Sequence, residues 1–406
     1  MRLFKKTASL RKNINSTAFN NPIMPLPPIF DYIITGAGCA GSSLLMRMMA
    51  DPFFEQKKIL VIDRSAKKDN DRTWCFWEKE AGLFESIVYQ RWERANFFSA
   101  NYSGTLSLSP YQYKMIRGID FYAYTRNRVA VSENISWLQE KIDSIEQENS
   151  YAIVHTASGS FRASYVFNSI VLQQPVIPPH KHLLLQHFKG WVIETKKKAF
   201  DAKTATLMDF RVSQERGTSF FYTMPFSATR ALVEYTLFSE TVLTQEAYDH
   251  SIREYLLFLG ITDYTIEQEE FGAIPMTNIS YPFNEGRIIH TGLAGGQVKG
   301  SSGYAFNFIQ KRTAGIIRSL KTKGHPIVDK SIADKKFLFY DSVLLNVLTK
   351  RKMSGEEVFA RIFQKNPAER VLRFLDNETG FLDDLAIMNS VPMGIFLPAA
   401  LQEIFA

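Results

Sequence analysis

A glycine-rich turn between an apolar strand and an apolar helix most constrains how this chain can fold. FDYIIT (30–35) is a short β-rich run typical of a buried parallel strand, and GAGCAG follows it at once. SSLLMRMMADP (42–52) then predicts a helix with an apolar face, and KKILVIDRS (57–65) predicts the next strand. The order strand, turn, helix, strand is typical of a doubly wound α/β domain.

The spacing of the glycines and of the following acid predicts a dinucleotide site. Gly36, Gly38 and Gly41 form a GxGxxG motif in the context that it requires. The glycines permit a tight turn, close approach of a pyrophosphate and close packing of the helix, whose N-terminal N–H groups can bind phosphate. Asp63 ends the second strand 22 residues after Gly41, where an acid accepts hydrogen bonds from an adenosine ribose. These residues alone leave FAD and NAD(P) both open.

Composition excludes several other classes of protein. With 406 residues, 45% hydrophobic and 22% charged, the chain can bury a large core and is neither disordered nor collagen-like. Two cysteines, Cys39 and Cys75, cannot build a disulfide scaffold. His180, His182 and His187 lack carboxylates or cysteines at ligand spacing, so we predict no metal site. Because no apolar run approaches about 18 residues, we expect a soluble or peripheral protein made in the cytoplasm.

The net charge of +7 is concentrated at the N-terminus. Residues 1–29 are predicted to be a basic, flexible arm, and the remaining chain has a net charge of only +2. Two interpretations of the arm stay open. It could be weakly attracted to anionic lipid, or it could result from a start site mis-assigned upstream of Met24. No nucleic-acid-binding module is recognisable, so we predict no nucleic-acid partner. The charges of the arm come from Arg2, Lys5, Lys6, Arg11 and Lys12.

The rest of the chain predicts strands first and helices later. Residues 136–274 contain several alternating or aromatic-rich segments typical of strands. From about residue 330 the pattern is mainly helical. Ser354 is predicted to be the N-cap of one helix, with Glu357 reaching back to complete a capping box.

Five segments give the sequence a resemblance to a known family, the FAD-dependent lycopene β-cyclases of carotenoid biosynthesis. The likeness runs from about Asp31 to the C-terminus. Two departures from common patterns stand out. Leu293 follows Gly292 where many flavoproteins have Asp, and the cyclases also lack that Asp. Lys299-Gly300 stands where relatives often have proline. The segments are DYIITGAGCAGSSL, DRTWCFWE (Asp71–Glu78), LMDFRVSQ (Leu207–Gln214), MPFSATRALVEYTLFS (Met224–Ser239) and TGLAGGQVKGSSGYAF (Thr291–Phe306).

The fold we expect is an interleaved α/β flavoprotein with a helical C-terminal region. A doubly wound, glutathione-reductase-like FAD-binding domain would come from 30–75, 115–175 and 286–328. A sheet-rich substrate domain would come from 76–114 and 176–285, and 329–406 would be helical. The resemblance implies FAD contacts at Gly36, Gly38, Ala40, Gly41, Asp63, Gly292, Gly295 and Gly296.

The resemblance also implies the reaction and its cofactor. The ψ end groups of lycopene would be cyclised to β-ionone rings, giving γ-carotene and then β-carotene. Reduced FAD would be required although the reaction is not a net oxidation or reduction, and NAD(P)H would be the reductant. The reduced flavin could stabilise a carbocation or help to relay a proton, and both roles remain open.

Glu234 is the predicted acid that starts cyclisation. On a strand, Leu232, Glu234 and Thr236 face one way while Val233 and Tyr235 face the other. The carboxyl group would then lie on a mostly apolar surface, where desolvation raises its pKa and keeps it protonated. The alternative is a salt-bridged or solvent-facing glutamate, and the family segment favours the acid.

Other residues receive supporting roles. Asp209 is predicted to position the acid or the flavin. Trp74, Phe76 and Trp77 are predicted to line the substrate pocket, because aromatic faces stabilise cations; core packing is the alternative. Glu78 is a candidate second carboxylate.

The substrate would be lycopene or a related acyclic carotenoid dissolved in the membrane, which predicts a cytoplasmic protein peripheral on the inner face of the membrane. One rival is an FAD-dependent monooxygenase or isoprenoid reductase of the same fold. A second rival is a non-catalytic carotenoid or lipid carrier. The glycine motif, Asp63 and Glu234 argue against a carrier, because a carrier needs no flavin.

Overall fold

Strands dominate the first three quarters of the chain and helices the last quarter. The computed structural model describes residues 29–329 and 331–405, so the predicted basic arm lies outside the described residues except for Ile29. The strands are β1 (Ile29–Thr35), β2 (Ile59–Asp63), β3 (Thr73–Glu78), β4 (Gln90–Trp92), β5 (Arg94–Phe98), β6 (Ser103–Ser107), β7 (Gln112–Arg117), β8 (Ile135–Gln139), β9 (Ile142–Glu148), β10 (Tyr151–Thr156), β11 (Gly159–Asn168), β12 (Leu183–Thr195), β13 (Thr204–Asp209), β14 (Thr218–Pro225), β15 (Arg230–Ser239), β16 (Tyr264–Thr277), β17 (Asn284–Glu285) and β18 (Ile288–His290). The helices are α1 (Cys39–Met49), α2 (Gly118–Val129), α3 (Gln245–Phe258), α4 (Phe306–Lys323), α5 (Ile332–Thr349), α6 (Gly355–Lys365), α7 (Ala368–Leu375), α8 (Phe381–Met388) and α9 (Met393–Ile404).

An eight-stranded sheet has β1 near its centre. β1 pairs in parallel with β2 on one side and with β11 on the other, and β8 and β18 extend the parallel part outwards. The apolar run of β1 is buried on both faces, as expected for a central parallel strand. Helices α1, α2 and α4 contribute to the core on one face, and β9 and β10 to the core on the other. The predicted strand–turn–helix–strand opening is confirmed.

A seven-stranded sheet forms the second half of the molecule, in the order β16-β12-β15-β14-β13-β5-β6. All its pairs are antiparallel except β5 with β13. One face packs against α3 and the other against the largest core, to which the C-terminal helices also contribute. The sheet therefore has two buried faces, and adjacent residues of a strand lie in different surroundings.

A small sheet of β3, β7 and β4 lies between the two halves. Trp77 and Tyr113 belong to the largest core, whereas Phe76 and Ile116 pack with α1 and α4. The predicted boundaries after residue 75 and before residue 115 cut β3 and β7, which pair with each other. The division into two domains stays a prediction.

The C-terminal region, from α5 to α9, is helical as predicted. Ser354 caps α6 by accepting a hydrogen bond from the Glu357 N–H at 3.2 Å. The predicted reciprocal bond is wrong, because the Glu357 carboxylate pairs with Arg361 at 2.7 Å instead. A complete capping box occurs at α5, between Ser331 and Asp334. Across 29–329 and 331–405, no helix is long and apolar enough to cross a membrane.

A buried ion pair anchors the glycine loop before α4 to these helices. Lys299 Nζ lies 2.6 Å from Asp341 Oδ1 on α5, and the lysine side chain is fully buried. Lys299 also donates to Asn377 at 2.8 Å, and Ser301 donates to Asp341 at 2.7 Å. The backbone N–H of Lys299 donates to the Tyr304 carbonyl, so the pair also fixes the loop that leads to Tyr304.

We expect Asp341→Ala to lower the free energy of unfolding by about 3–5 kcal/mol, because it leaves Lys299 buried and unpaired. Lys299→Met/Asp341→Leu should recover most of that loss, since no uncompensated charge remains. Urea unfolding of the purified variants measures both changes. Asp263→Ala removes the exposed ion pair with Lys196 and should cost less than about 1 kcal/mol. A double variant as unstable as Asp341→Ala would contradict this account.

Candidate active site

In the turn after β1, positions 36 and 41 leave no room for a side chain and therefore require glycine. Gly36 has a φ of +90°, and a Cβ there would lie 2.4 Å from Ser169 Oγ. A Cβ on Gly41 would lie 1.9 Å from the Gly36 carbonyl oxygen. By contrast, no atom lies within 4 Å of a Cβ built on Gly38, the N-cap of α1, which has no side-chain cap. Open space in front of unpaired helix N–H groups fits the phosphates of a dinucleotide.

The other predicted cofactor residues surround this turn. Asp63 is buried and accepts hydrogen bonds from the backbone N–H of Ala37 at 2.6 Å and of Ser65 at 2.7 Å. Gly292 has a φ of +57°, and a Cβ there would lie 2.9 Å from the Cβ of Ala40. The loop that contains Gly292, Gly295 and Gly296 therefore packs against the start of α1. Asp63 retains free lone pairs for a ribose, and that role stays a prediction.

Glu234 lies in the interior of the seven-stranded sheet. On β15 it is opposite Tyr222 of β14 and opposite Gly190 of β12. On the far side of Gly190 is Glu270 of β16. A Cβ at position 190 would lie 3.3 Å from Glu234 Cβ and 3.2 Å from Glu270 Cγ. The glycine therefore allows two carboxyl side chains to approach each other across an intervening strand.

Burial raises the pKa of both carboxyl groups, and each group also affects the pKa of the other. Burial raises the pKa of Glu234 well above its usual range, and the charge of Glu270 and a hydrogen bond to Glu270 raise this pKa further. Thr236 opposes the shift by donating to Glu234 Oε1 at 2.9 Å. Burial also raises the pKa of Glu270, but Thr73, which donates to Glu270 Oε2 at 2.6 Å, limits this shift. The proton therefore resides on Glu234, and Glu270 accepts a hydrogen bond from it.

Buried aromatic hydroxyls line the same face of the sheet. The Tyr222 and Tyr304 hydroxyl oxygens lie 3.4 Å apart, and Tyr304 also hydrogen-bonds with Tyr113. Burial raises the pKa of Tyr304 to about 12, so this hydroxyl stays neutral at physiological pH. The Trp77 ring lies 4.7 Å from the Tyr304 ring, edge to face. Burial raises the pKa of the Cys75 thiol.

The alternation of β3 corrects part of the predicted substrate pocket. Trp77 belongs to the core next to Glu234, together with partly buried Cys75. Trp74 and Phe76 point to the other side, where Trp74 lies 4.9 Å from the Phe121 ring and Phe76 stacks on Phe306 at 4.0 Å. The structure therefore does not bring Trp74 and Phe76 to the acid, because successive strand residues face opposite ways.

Asp209 lies on the opposite face of the seven-stranded sheet from Glu234. It is paired with Phe221, whereas Glu234 is paired with Tyr222, the next residue along β14. The buried Asp209 carboxylate pairs with Arg211 at 2.6 Å and accepts from the Tyr255 hydroxyl at 2.8 Å. Asp209 therefore does not contact the acid. Its contacts hold α3 against the sheet.

Glu78 also has partners of its own. Its carboxylate lies 3.1 Å from Lys114 Nζ, which is 2.6 Å from Glu85. Burial raises the pKa of Glu78, and Lys114 opposes that shift. The carboxylate that pairs with Glu234 is Glu270 rather than Glu78.

A cleft that opens to the surface has Glu270 in its lining. Its polar lining includes Asn70, Arg117 and Arg230. Arg230 donates to the Tyr89 hydroxyl at 2.7 Å, which holds one wall in place. Glu270 is thus the member of the pair that lies in the lining of the cleft, which does not include Glu234.

Sequence reasoning missed Glu270, Gly190 and Tyr222. Glu270 stands in the run EQEEF, in which the neighbouring acids are exposed, so residue type alone did not distinguish it. Strand register selects it, and register depends on which strands pair. In the described ranges, no group of three or more His, Cys, Asp or Glu side chains could hold a metal ion.

Comparisons with known proteins are consistent with this geometry. The profile of the family described as Lycopene cyclase protein matches residues 31–400. A lycopene beta-cyclase from Pantoea ananas is 22% identical over 295 residues, 69% of this chain and 72% of that protein. A flavoprotein/dehydrogenase from Cytophaga hutchinsonii superposes with a TM-score of 0.62 at 10% identity, covering 93% of this chain and 100% of that one. For a geranylgeranyl bacteriochlorophyll reductase-like protein from Thermoplasma acidophilum the TM-score is 0.56 at 12% identity, with 93% and 96% covered. At these identities the structural likeness shows the fold alone, and it confirms the predicted α/β flavoprotein fold.

We expect Glu234→Gln to stabilise the fold increasingly as pH rises. Above the ordinary carboxyl pKa of 4.5 the unfolded chain ionises while folded Glu234 keeps its proton, so wild-type stability falls with pH. The fall is about 1.4 kcal/mol per pH unit until the raised pKa is reached, and glutamine removes it.

Unfolding of both proteins, measured from about pH 5 to about pH 8, tests this sign. Glu267→Gln, on an exposed part of the same sheet, should show no such trend. A wild-type to Glu234→Gln difference that stays constant with pH would refute the raised pKa.

Proposed function

The chain belongs to the lycopene cyclase family, and on that premise we propose that it is a lycopene β-cyclase, an intramolecular lyase or isomerase of carotenoid biosynthesis. It converts the ψ end groups of lycopene to β-ionone rings, giving γ-carotene and then β-carotene. The observation that carries the proposal is the approach of Glu234 and Glu270 across Gly190, next to a core rich in aromatic side chains, where burial raises the pKa of both carboxyl groups. A non-catalytic carrier has no need of a carboxylic acid whose pKa is raised beside aromatic side chains.

The first step is proton transfer from the Glu234 carboxyl group to the terminal double bond of the polyene. A carbocation forms, and an inner double bond then supplies the electron pair for the ring C–C bond. A ring proton leaves, and its electron pair becomes the ring double bond, so the product is an isomer of the substrate. Glu270 stabilises the Glu234 carboxyl group before the transfer and shares the proton that returns to the pair.

The surroundings of Glu234 suit a cationic intermediate. Trp77, Tyr113, Tyr222 and Tyr304 present aromatic faces, which attract cations. The burial of Trp77, Tyr113 and Tyr222 limits the access of water, which would otherwise trap the carbocation as an alcohol. Glu270 lies in the lining of the surface cleft, and we infer that solvent protons renew the pair by this route.

The glycine turn and the loop around Gly292 fit FAD, with Gly36, Gly38, Ala40 and Gly41 next to the phosphates and Asp63 at the adenosine ribose. Bound in its reduced form, FAD supplies negative charge that stabilises a cation or assists proton relay. NAD(P)H would serve only to keep the flavin reduced. The gap at Gly38 and the uncapped start of α1 support this placement.

A flavoenzyme that oxidises or reduces an isoprenoid is the second candidate, because solved structures of the same fold include a geranylgeranyl bacteriochlorophyll reductase-like protein. Such an enzyme would consume NAD(P)H in proportion to product, whereas a cyclase would not.

Since lycopene dissolves in lipid, we place the protein at the inner membrane surface, peripheral and cytoplasmic.

We expect Glu234→Gln to abolish ring formation in a lycopene-producing host, because an amide cannot donate the proton. Glu270→Gln should lower β-carotene formation by about tenfold to a hundredfold, since it removes one partner of the shared proton. Chromatography of the accumulated pigments measures both. Glu267→Gln is the matched control on β16 and should give wild-type pigments. Normal β-carotene from Glu234→Gln would disprove the assignment.

We also expect Gly38→Ala to lose flavin while remaining folded. The added methyl group meets no protein atom within 4 Å, so it would occupy only the space assigned to phosphate. Flavin absorbance near about 450 nm and the thermal unfolding temperature report the two properties separately. Gly41→Ala, which would collide with the Gly36 carbonyl, should lower stability as well. Full flavin content in Gly38→Ala would contradict the site.

A further inference from the structure

The last two helices expose a patch of large apolar side chains. On α9, Met393, Leu397 and Leu401 are spaced four residues apart and therefore share one helix face. The opposite face, which includes buried Ala399, packs against α5. Eight of the 24 exposed large apolar side chains in the described ranges lie in the segment 381–405. We call the five of these that lie on α9 and directly after it the C-terminal apolar surface: Met393, Leu397, Leu401, Ile404 and Phe405.

The acids of these helices are turned away from that surface. Glu403 is the only charged residue of α9, and its side chain is 4% exposed because it pairs with His182 at 2.8 Å. On α8, Asp384 is 2% exposed and pairs with Lys336 at 2.7 Å. Asp383 is held between Arg370 and Arg373. Exposed apolar side chains are thus combined with inward-facing acids.

A basic edge lies beside α9. Lys350 and Arg351, at the C-terminal end of α5, are exposed. Lys350 Nζ donates to Gln402 on α9 at 3.1 Å, and Lys352 Nζ donates to the same oxygen at 2.9 Å. An exposed apolar helix face with cations at its edge matches the two zones of an anionic bilayer, acyl chains and headgroups.

We propose that the C-terminal apolar surface docks the protein onto a lipid bilayer with anionic headgroups. Leu397 and Leu401 insert at the level of the upper acyl chains, and Lys350 and Arg351 contact the headgroups. The basic edge favours lipid over a second copy of the chain, because the same surface of a second copy offers it no exposed acid. The purpose of the docking, access to a membrane-dissolved polyene, rests on the proposed function.

Vesicle flotation tests the surface directly. Wild-type protein should float with phosphatidylcholine vesicles that contain phosphatidylglycerol. Leu397→Glu/Leu401→Glu should bind them about tenfold more weakly or worse, because buried apolar area is replaced by charge. The matched control is Val131→Glu/Leu257→Glu, at exposed apolar positions elsewhere, which should bind as wild type. Lys350→Gln/Arg351→Gln should weaken binding to anionic vesicles and reduce its dependence on salt.

Two results would overturn the proposal. One is unchanged vesicle binding by Leu397→Glu/Leu401→Glu with an unchanged unfolding temperature. The other is a wild-type dimer, seen by gel filtration, that this variant converts to a monomer.

Activity assays separate this proposal from the proposed function. Leu397→Glu/Leu401→Glu should cyclise lycopene presented in detergent micelles but lose cyclisation of lycopene in vesicles. Equal loss in both would overturn docking as the role of these residues. Wild-type protein that cyclises lycopene neither in micelles nor in vesicles would disprove the cyclase assignment. The flotation experiment would still show whether the C-terminal apolar surface binds lipid.

Discussion

Glu234 and Glu270 approach each other across Gly190, and the chemistry of the site depends on that contact. Two neighbouring, partly buried carboxyl groups ionise together only at a cost, which favours a proton on one of them. The contact requires β12 between β15 and β16, and it requires a residue without a side chain at the crossing point. A Cβ at position 190 would also lie 2.9 Å from Leu232 Cδ1, which leaves no room for a larger residue.

The small sheet of β3, β7 and β4 connects this acid pair to the nucleotide turn. Along β3, Phe76 stacks on Phe306 while Trp77 packs against Tyr304. Tyr304 and Phe306 belong to the segment that continues from the glycine loop into α4. The two faces of β3 therefore both contact this segment, one through Phe306 and the other through Tyr304. This packing fixes the distance between the glycine loop before α4 and the aromatic side chains beside Glu234.

The five segments that carry the family likeness have unequal relations to the site. The segments with Trp77, Glu234 and Tyr304 converge, and the Lys299–Asp341 pair holds the last of them on the C-terminal helices. The segment with Asp209 lies on the back of the sheet, where its carboxylate pairs with Arg211. A carboxylate within a family motif can therefore support the fold without contacting Glu234.

The sequence by itself determined the glycine turn, the acid at Asp63, the strand character of the LVEYT segment and the helical C-terminus. Each of these follows from a local pattern: a steric requirement for glycine, a spacing within one strand–helix–strand unit, or the periodic alternation of apolar and polar residues. The sequence also identified Glu234 as an acid on an apolar face. Only the tertiary structure decided which residues meet it. Glu270, Tyr222 and Gly190 reach Glu234 through strand pairing, and Phe76 and Asp209 face away because a shift of one residue reverses a side chain. Strand pairing and the surroundings of each strand face depend on contacts between segments far apart in the chain, so no local sequence pattern predicts them.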